Sequence, residues 1–166
     1  MQESSRVKSI MLSKGEVLTI LSDRPVREAA EIMRDSKVGC LVVMHPGDRV
    51  AGIVTERDIV SKVVAESADP GKVRVSDVMS AKIFAVSPEA SLAHARQVMS
   101  EYKIRHLPVI RDGKLEGLIS SRDILSLELR SVQQVVQHQD QLLREAERKY
   151  PGITQVQVDS GGRIVI

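Results

Sequence analysis

The stretch "GIVTERDIV" (52–60) returns as "GLISSRDIL" (117–125), sixty-five residues later. A chain of 166 residues that writes one unit twice is confined to folds made of two similar halves. The duplication runs well beyond this stretch. Val26, Ala29, Met33, Val38, Leu41 and Val43 lie 66 positions before Leu92, Ala95, Met99, Ile104, Leu107 and Val109. After the "HPGD" turn the offset falls to 65, so the first copy holds one extra turn residue. The lead-ins also agree, "VKSIM" before the first copy and "VSDVM" before the second.

Each copy follows one plan, an α/β (α+β) order of β-α-β-β-α. A short strand is expected over 17–20 and again over 83–86, each followed by a turn and a helix. Leu92, Ala95 and Met99 fall on one helical face, with Ser91 as the N-cap. Two apolar strands joined by a Gly-containing turn come next, over 40–44 and 50–54, then over 107–110 and 115–119; each pair reads as a hairpin. A second helix opens at Thr55 and at Ser120. The repeats divide as 7–66 and 67–129, with Pro70–Gly71 as the break signal in the joint.

The last helix of the second copy does not stop. From Ser120 to Lys149 there is no Pro or Gly. Leu129, Val136 and Leu143 recur every seven residues, with Leu125, Val132, Gln139 and Ala146 as the companion series and Val135 and Leu142 widening the stripe. Residues 130–149 therefore read as a helical stalk that wants a partner, with a parallel two-stranded pairing in a homodimer as the expected arrangement and a fold back onto its own module as the alternative. Residues 150–166 form a short β segment: after "YPG", residues 153–166 alternate polar and apolar around Gly161–Gly162, the pattern of a hairpin.

Composition narrows the function classes. Only Phe84, Tyr102 and Tyr150 are aromatic, so Ile, Val, Leu, Ala and Met must build the core. Twenty-four bases against 22 acids, with no basic block, argue against nucleic acid as the main partner. A single cysteine, Cys40, excludes an internal disulfide and fits a cytoplasmic home; it reads as a small buried apolar residue. No run of 18 apolar residues and no secretory segment is present, so no membrane span is expected. His45, His94 and His138 stand singly, without metal-ligand spacing. Met11, Met33, Met79 and Met99 recur at equivalent places and read as core filler. No nucleophile–base pair, carboxylate dyad or P-loop lysine stands out, which argues against an enzyme.

The residues that carry chemistry are those of the repeated heptapeptide: Gly52, Thr55 and Asp58, then Gly117, Ser120 and Asp123. A hydroxyl followed three residues later by an acid is a capping box. The same two groups can hold a sugar phosphate, because a carboxylate accepts two hydrogen bonds from a diol and a helix N-terminus favours phosphate. Arg57 and Arg122, beside the aspartates, can neutralise phosphate charge. Capping and binding are compatible, and both readings stay open.

The doubled Gly-apolar-x-(Ser/Thr)-x-x-Asp, together with "IRHLPVI" at 104–110, resembles a pair of CBS domains, the regulatory unit often called a Bateman module. The resemblance spans about 7–129. It implies two copies packed sheet to sheet around a pseudo-twofold axis, with clefts for adenosine derivatives: AMP, ADP, ATP or S-adenosylmethionine as a regulatory ligand, with no cofactor required. In that reading the motif aspartate bonds the ribose hydroxyls, the Ser or Thr holds ribose or phosphate, and backbone groups and apolar walls hold adenine. The ligand set is then Thr55, Arg57, Asp58, Arg105, His106, Pro108, Ser120, Arg122 and Asp123. The first copy departs from the pattern, with Gly39, Cys40 and Val42 where the second has Arg105, His106 and Pro108. Only the second copy supplies a base from this strand, so one occupied cleft is expected, with the Asp123 side dominant. The resemblance also implies a flat homodimer. Residues 152–166 resemble the opening strands of a PAS sensor domain, and that resemblance implies that the chain is the input half of a longer signalling protein or descends from one. A C-terminal hairpin native to this module is the alternative, as a dimerisation module with empty clefts is to the sensor.

Overall fold

The computed structural model describes residues 6–47, 49–149, 157–158 and 164–165. Two compact units are present, 1–124 and 125–166. In the first unit, β1 (Leu12–Ser13), β2 (Thr19–Leu21), α1 (Val26–Ser36), β3 (Cys40–His45), β4 (Arg49–Thr55) and α2 (Glu56–Ile59) follow in order. One π-helical turn, Val60–Val64, continues α2. Then come α3 (Val75–Val78), α4 (Leu92–Glu101), β5 (His106–Arg111), β6 (Lys114–Ser120) and the start of α5 (Ser121–Lys149).

Each copy builds a three-stranded sheet, ordered β2-β3-β4 and β1-β6-β5. The two hairpins match to the residue. Val43 faces Gly52 and Val109 faces Gly117, and the register shifts immediately afterwards in both, at Val43/Met44 and Val109/Ile110. A bulge beside the motif glycine bends each strand at the same place.

The third strand differs between the sheets. In the first, β2 runs parallel to β3, starting two residues later and ending one later than expected. In the second, the strand expected over 83–86 reduces to one parallel bridge, Val86 to Val109, while β1 pairs antiparallel with β6. The reason is a crossing of the chain. Ser80 exchanges two backbone hydrogen bonds with Ile53 on β4, 2.8 and 3.1 Å, and Val86 does so with Pro108 and Ile110 on β5, 3.1 and 2.9 Å. The residues between must travel from one sheet to the other, so they have no ladder neighbour.

The lead-ins are exchanged as well. The first one docks on the second copy through Val7 N–H to Ala90 O (2.9 Å) and Lys8 N–H to Pro88 O (3.0 Å). The second docks on the first copy, where Val75 and Val78 enter the core. Helix α1 starts at Pro25 without a side-chain cap. Its open amides are met instead by this lead-in and its approach, Val26 N–H to Val73 O and Arg27 N–H to Pro70 O, both 2.9 Å. Helix α4, by contrast, carries the expected cap, Ser91 Oγ accepting from His94 N–H at 3.1 Å. A boundary at 67 therefore divides the written repeat and not the packing.

Strand β3 is buried on both faces, which explains its continuous apolar run. Leu41 and Val43 pack with Val26, Ala29 and Met33 of α1. Cys40, Val42 and Met44 pack on Leu115 and Leu118 of β6, joining the sheets face to face. Burial of each large side chain here, such as Leu41 or Leu107, contributes about 1.5–3 kcal/mol.

Helix α5 is continuous over 29 residues, as the absence of Pro and Gly predicts. In the second unit its expected stripe lies open at Leu125, Leu129, Val132, Val135 and Val136, each 51–66% exposed. Two short strands follow, β7 (Gln157–Val158) and β8 (Ile164–Val165), paired antiparallel. The rest of the expected hairpin, and with it the PAS-like turn, lies outside the described residues. No helix among the described residues is long and apolar enough to cross a membrane.

Candidate functional site

The motif glycines have a steric reason to be glycine. A Cβ on Gly52 would stand 2.5 Å from Ser80 O, and one on Gly117 would come closer still to Leu12 O. Only glycine lets the crossing segment lie this close to the strand. The motif's first position thus serves the exchange of lead-ins, and the positions after it turn the chain into a helix.

That turn is a complete capping box in both copies. Thr55 Oγ1 accepts from Asp58 N–H at 3.2 Å, and Asp58 Oδ2 accepts from Thr55 N–H (3.0 Å) and its hydroxyl (2.6 Å). Ser120 and Asp123 repeat it, with 3.3, 2.8 and 2.6 Å. The helix that Thr55 caps has only four α-helical residues, and Glu56 N–H is already bonded to Gly39 O at 3.1 Å. Little of a phosphate-binding helix end remains there, contrary to what the motif alone suggests.

The second oxygen of each aspartate differs. Asp58 Oδ1 is held by Lys62 Nζ at 2.8 Å, and Lys62 also donates to Val78 O. Asp123 has Leu127 at the corresponding place, and among the described residues its Oδ1 has no hydrogen-bond partner.

A cleft of about 240 Å³ opens where the two copies meet. The first copy contributes Thr55, Arg57 and Asp58. The second contributes Lys103, Arg105 and His106 from the turn before β5 and its first residue. The crossing segment supplies Ser80, Lys82, Ile83 and Phe84. The bases of the second copy therefore line a cleft with the motif of the first, not with Ser120, Arg122 and Asp123, which stand outside this cleft. Pro108 is also outside it, buried in β5 with its carbonyl accepting from Val86 N–H.

Burial holds the His106 imidazole below its ordinary pKa of 6.5, and the neighbouring Arg105 acts in the same direction; Asp123 opposes them less strongly. The ring is neutral at pH 7. Cys40, its counterpart in the first copy, is a buried free thiol pushed up to about 12 by desolvation. It is not a nucleophile at neutral pH.

Lys82, Phe84 and Lys103 were not singled out by the sequence. Phe84 stacks on Tyr102 with ring centroids 3.7 Å apart and planes at 22°. Two of three aromatics in an aromatic-poor chain are a usable signal; single lysines are not. The arrangement offers a cationic wall, an aromatic face and a motif hydroxyl, which suits a planar base joined to an anionic group. Among the described residues no group of three or more His, Cys, Asp or Glu could hold a metal.

Comparison with known proteins identifies the family of the fold. The family model for the CBS domain matches residues 7–65 and 75–130. The CBS domain-containing protein CBSX3, mitochondrial, of Arabidopsis thaliana is 34% identical over 151 residues, covering 86% of this chain and 70% of that protein. A candidate signal-transduction protein with CBS domains from Burkholderia ambifaria superposes with a TM-score of 0.66 at 38% identity, over 69% of this chain and 83% of its own. A hexameric CBS-CP12 protein from bloom-forming cyanobacteria gives 0.65 at 36% identity, over 72% and 70%.

Proposed function

The chain belongs to the CBS-domain family, whose members are generally regulatory and bind adenosine compounds, and from that premise we propose that it senses an adenosine-containing nucleotide and relays its presence to a partner or output domain. The observation that carries this reading is the composite cleft. Thr55 and Asp58 from one copy, Arg105 and His106 from the other, and Phe84 from the segment that crosses between them face one space. A ligand seated there touches both halves at once, so it can favour one arrangement of the halves over another, which sensing requires. Ribose hydroxyls suit Thr55 and Asp58, a base suits Phe84, and phosphate suits the cations. No bond-making chemistry is needed from the protein.

A binding panel of AMP, ADP, ATP and S-adenosylmethionine against the pure chain tests the reading. At least one should raise the unfolding midpoint in proportion to the logarithm of its concentration. No shift from any of them at millimolar concentration would overturn it.

A second reading, a dimerisation module without ligand, is favoured by the state of Asp58. Both of its oxygens are already engaged, by Thr55 and Lys62. In either reading the open stripe of α5 is the expected homodimer contact, with residence in the cytoplasm and, in the sensing reading, an output domain beyond the stalk. A monomer in sedimentation at micromolar concentration would overturn the assembly.

A further inference from the structure

Four cations face the composite cleft: Arg57, Lys82, Lys103 and Arg105. None is in an ion pair among the described residues, whereas Arg24, Arg27, Arg34, Lys62, Lys72 and Arg111 all are. The single carboxylate among the lining residues is Asp58, and its charge is countered by Lys62. The lining of the cleft thus carries an excess of positive charge that no ion pair among the described residues offsets, while burial holds the His106 pKa down.

The corresponding positions of the other copy lack this excess. Arg122 matches Arg57 and Lys37 matches Lys103, but Gly39 stands for Arg105. The stretch after Leu12 brings Lys14 and Glu16, which cancel, where the stretch after Ser80 brings Lys82 alone. Asp123 has no lysine to counter it, because Leu127 stands where Lys62 does. One duplicated scaffold therefore carries a polyanion-seeking set of charges once and not twice.

Resting on the reading above, we infer that the cleft built on Thr55 and Asp58 selects a nucleoside di- or triphosphate over a monophosphate, and disfavours the sulfonium cation of S-adenosylmethionine. Like charges lining one cleft repel unless a polyanion lies among them, so each further phosphate relieves more of the repulsion. Arg57 and Arg105 offer planar forks for phosphate oxygens, and Lys82 and Lys103 act as mobile point charges.

The experiment is calorimetric titration of the full chain with ATP, ADP, AMP, S-adenosylmethionine, GTP and inorganic triphosphate, at about 0.05 and 0.5 M salt. ATP should bind at least about tenfold more tightly than AMP at low salt, with the advantage shrinking at high salt. Arg105→Gln and Lys82→Gln, both at exposed positions, should bring the affinity for ATP down toward that for AMP; their unfolding midpoints confirm that the fold survives. Equal affinity for AMP and ATP, or tighter binding of S-adenosylmethionine, overturns the inference and leaves the adenosine reading intact. GTP or inorganic triphosphate binding as well as ATP supports the inference and overturns adenosine recognition. Binding of none of the six overturns both.

Discussion

The two copies are one design with two different outcomes. Both carry a glycine under a crossing strand, a bulge beside it and a complete capping box. They diverge where a side chain answers to its neighbours. Asp58 is locked by Lys62 and Asp123 is not. Strand β3 starts at a buried cysteine, while β5 starts at a half-buried histidine behind an exposed arginine. Helix α2 passes into a π turn after four residues, and α5 runs for 29. The lesson is that backbone devices are shared because both halves need them to interlock, whereas charge is free to differ because the interlock does not depend on it.

The largest expected effect tests what is shared. Gly117→Ala and Gly52→Ala should each destabilise the chain by about 2–3 kcal/mol in denaturant unfolding, since backbone oxygens block the added Cβ. Gly117 should cost more, given its shorter approach. A variant with an unmoved midpoint would show that the crossing segment can shift, and would remove the steric reason for the motif glycine.

A smaller effect tests what differs. Asp123→Ala should cost about 1 kcal/mol, the worth of a cap. Asp58→Ala should cost slightly more, because it also strands Lys62. The excess should be about 0.5 kcal/mol or less, as Lys62 is 44% exposed and solvent screens the pair, and it should vanish when Lys62→Leu is already present. Equal costs in both copies would mean that Lys62 does not distinguish them.

The smallest effect is read against pH. The folded chain holds His106 below its unfolded value, so on acidification the unfolded state takes up the proton first. The stability from the neutral ring is complete above about pH 6.5, falls as pH drops below it, and levels off under the folded pKa. His106→Gln should flatten that part of the pH profile of the unfolding midpoint. Cys40, with its thiol pushed up to about 12, should contribute nothing across the same range. A profile unchanged in the variant would show that His106 titrates as a free imidazole.

Much of the fold was legible along the chain because it rests on local patterns. The offset of 66 and then 65, the hairpins, the Ser91 cap, both capping boxes and the unbroken stalk need only near neighbours to be specified. Three features were not legible: the exchange of lead-ins, the reduction of the strand at 83–86 to one bridge, and the pairing of Arg105 and His106 with the first copy's motif. Each depends on which distant backbone comes to lie beside a given residue, and a repeat written twice in line fits a crossed and an uncrossed assembly equally well. Packing settles it. Val75 and Val78 bury in the first copy's core, β1 pairs with β6, and the oxygens of Leu12 and Ser80 come to rest where only glycine leaves room.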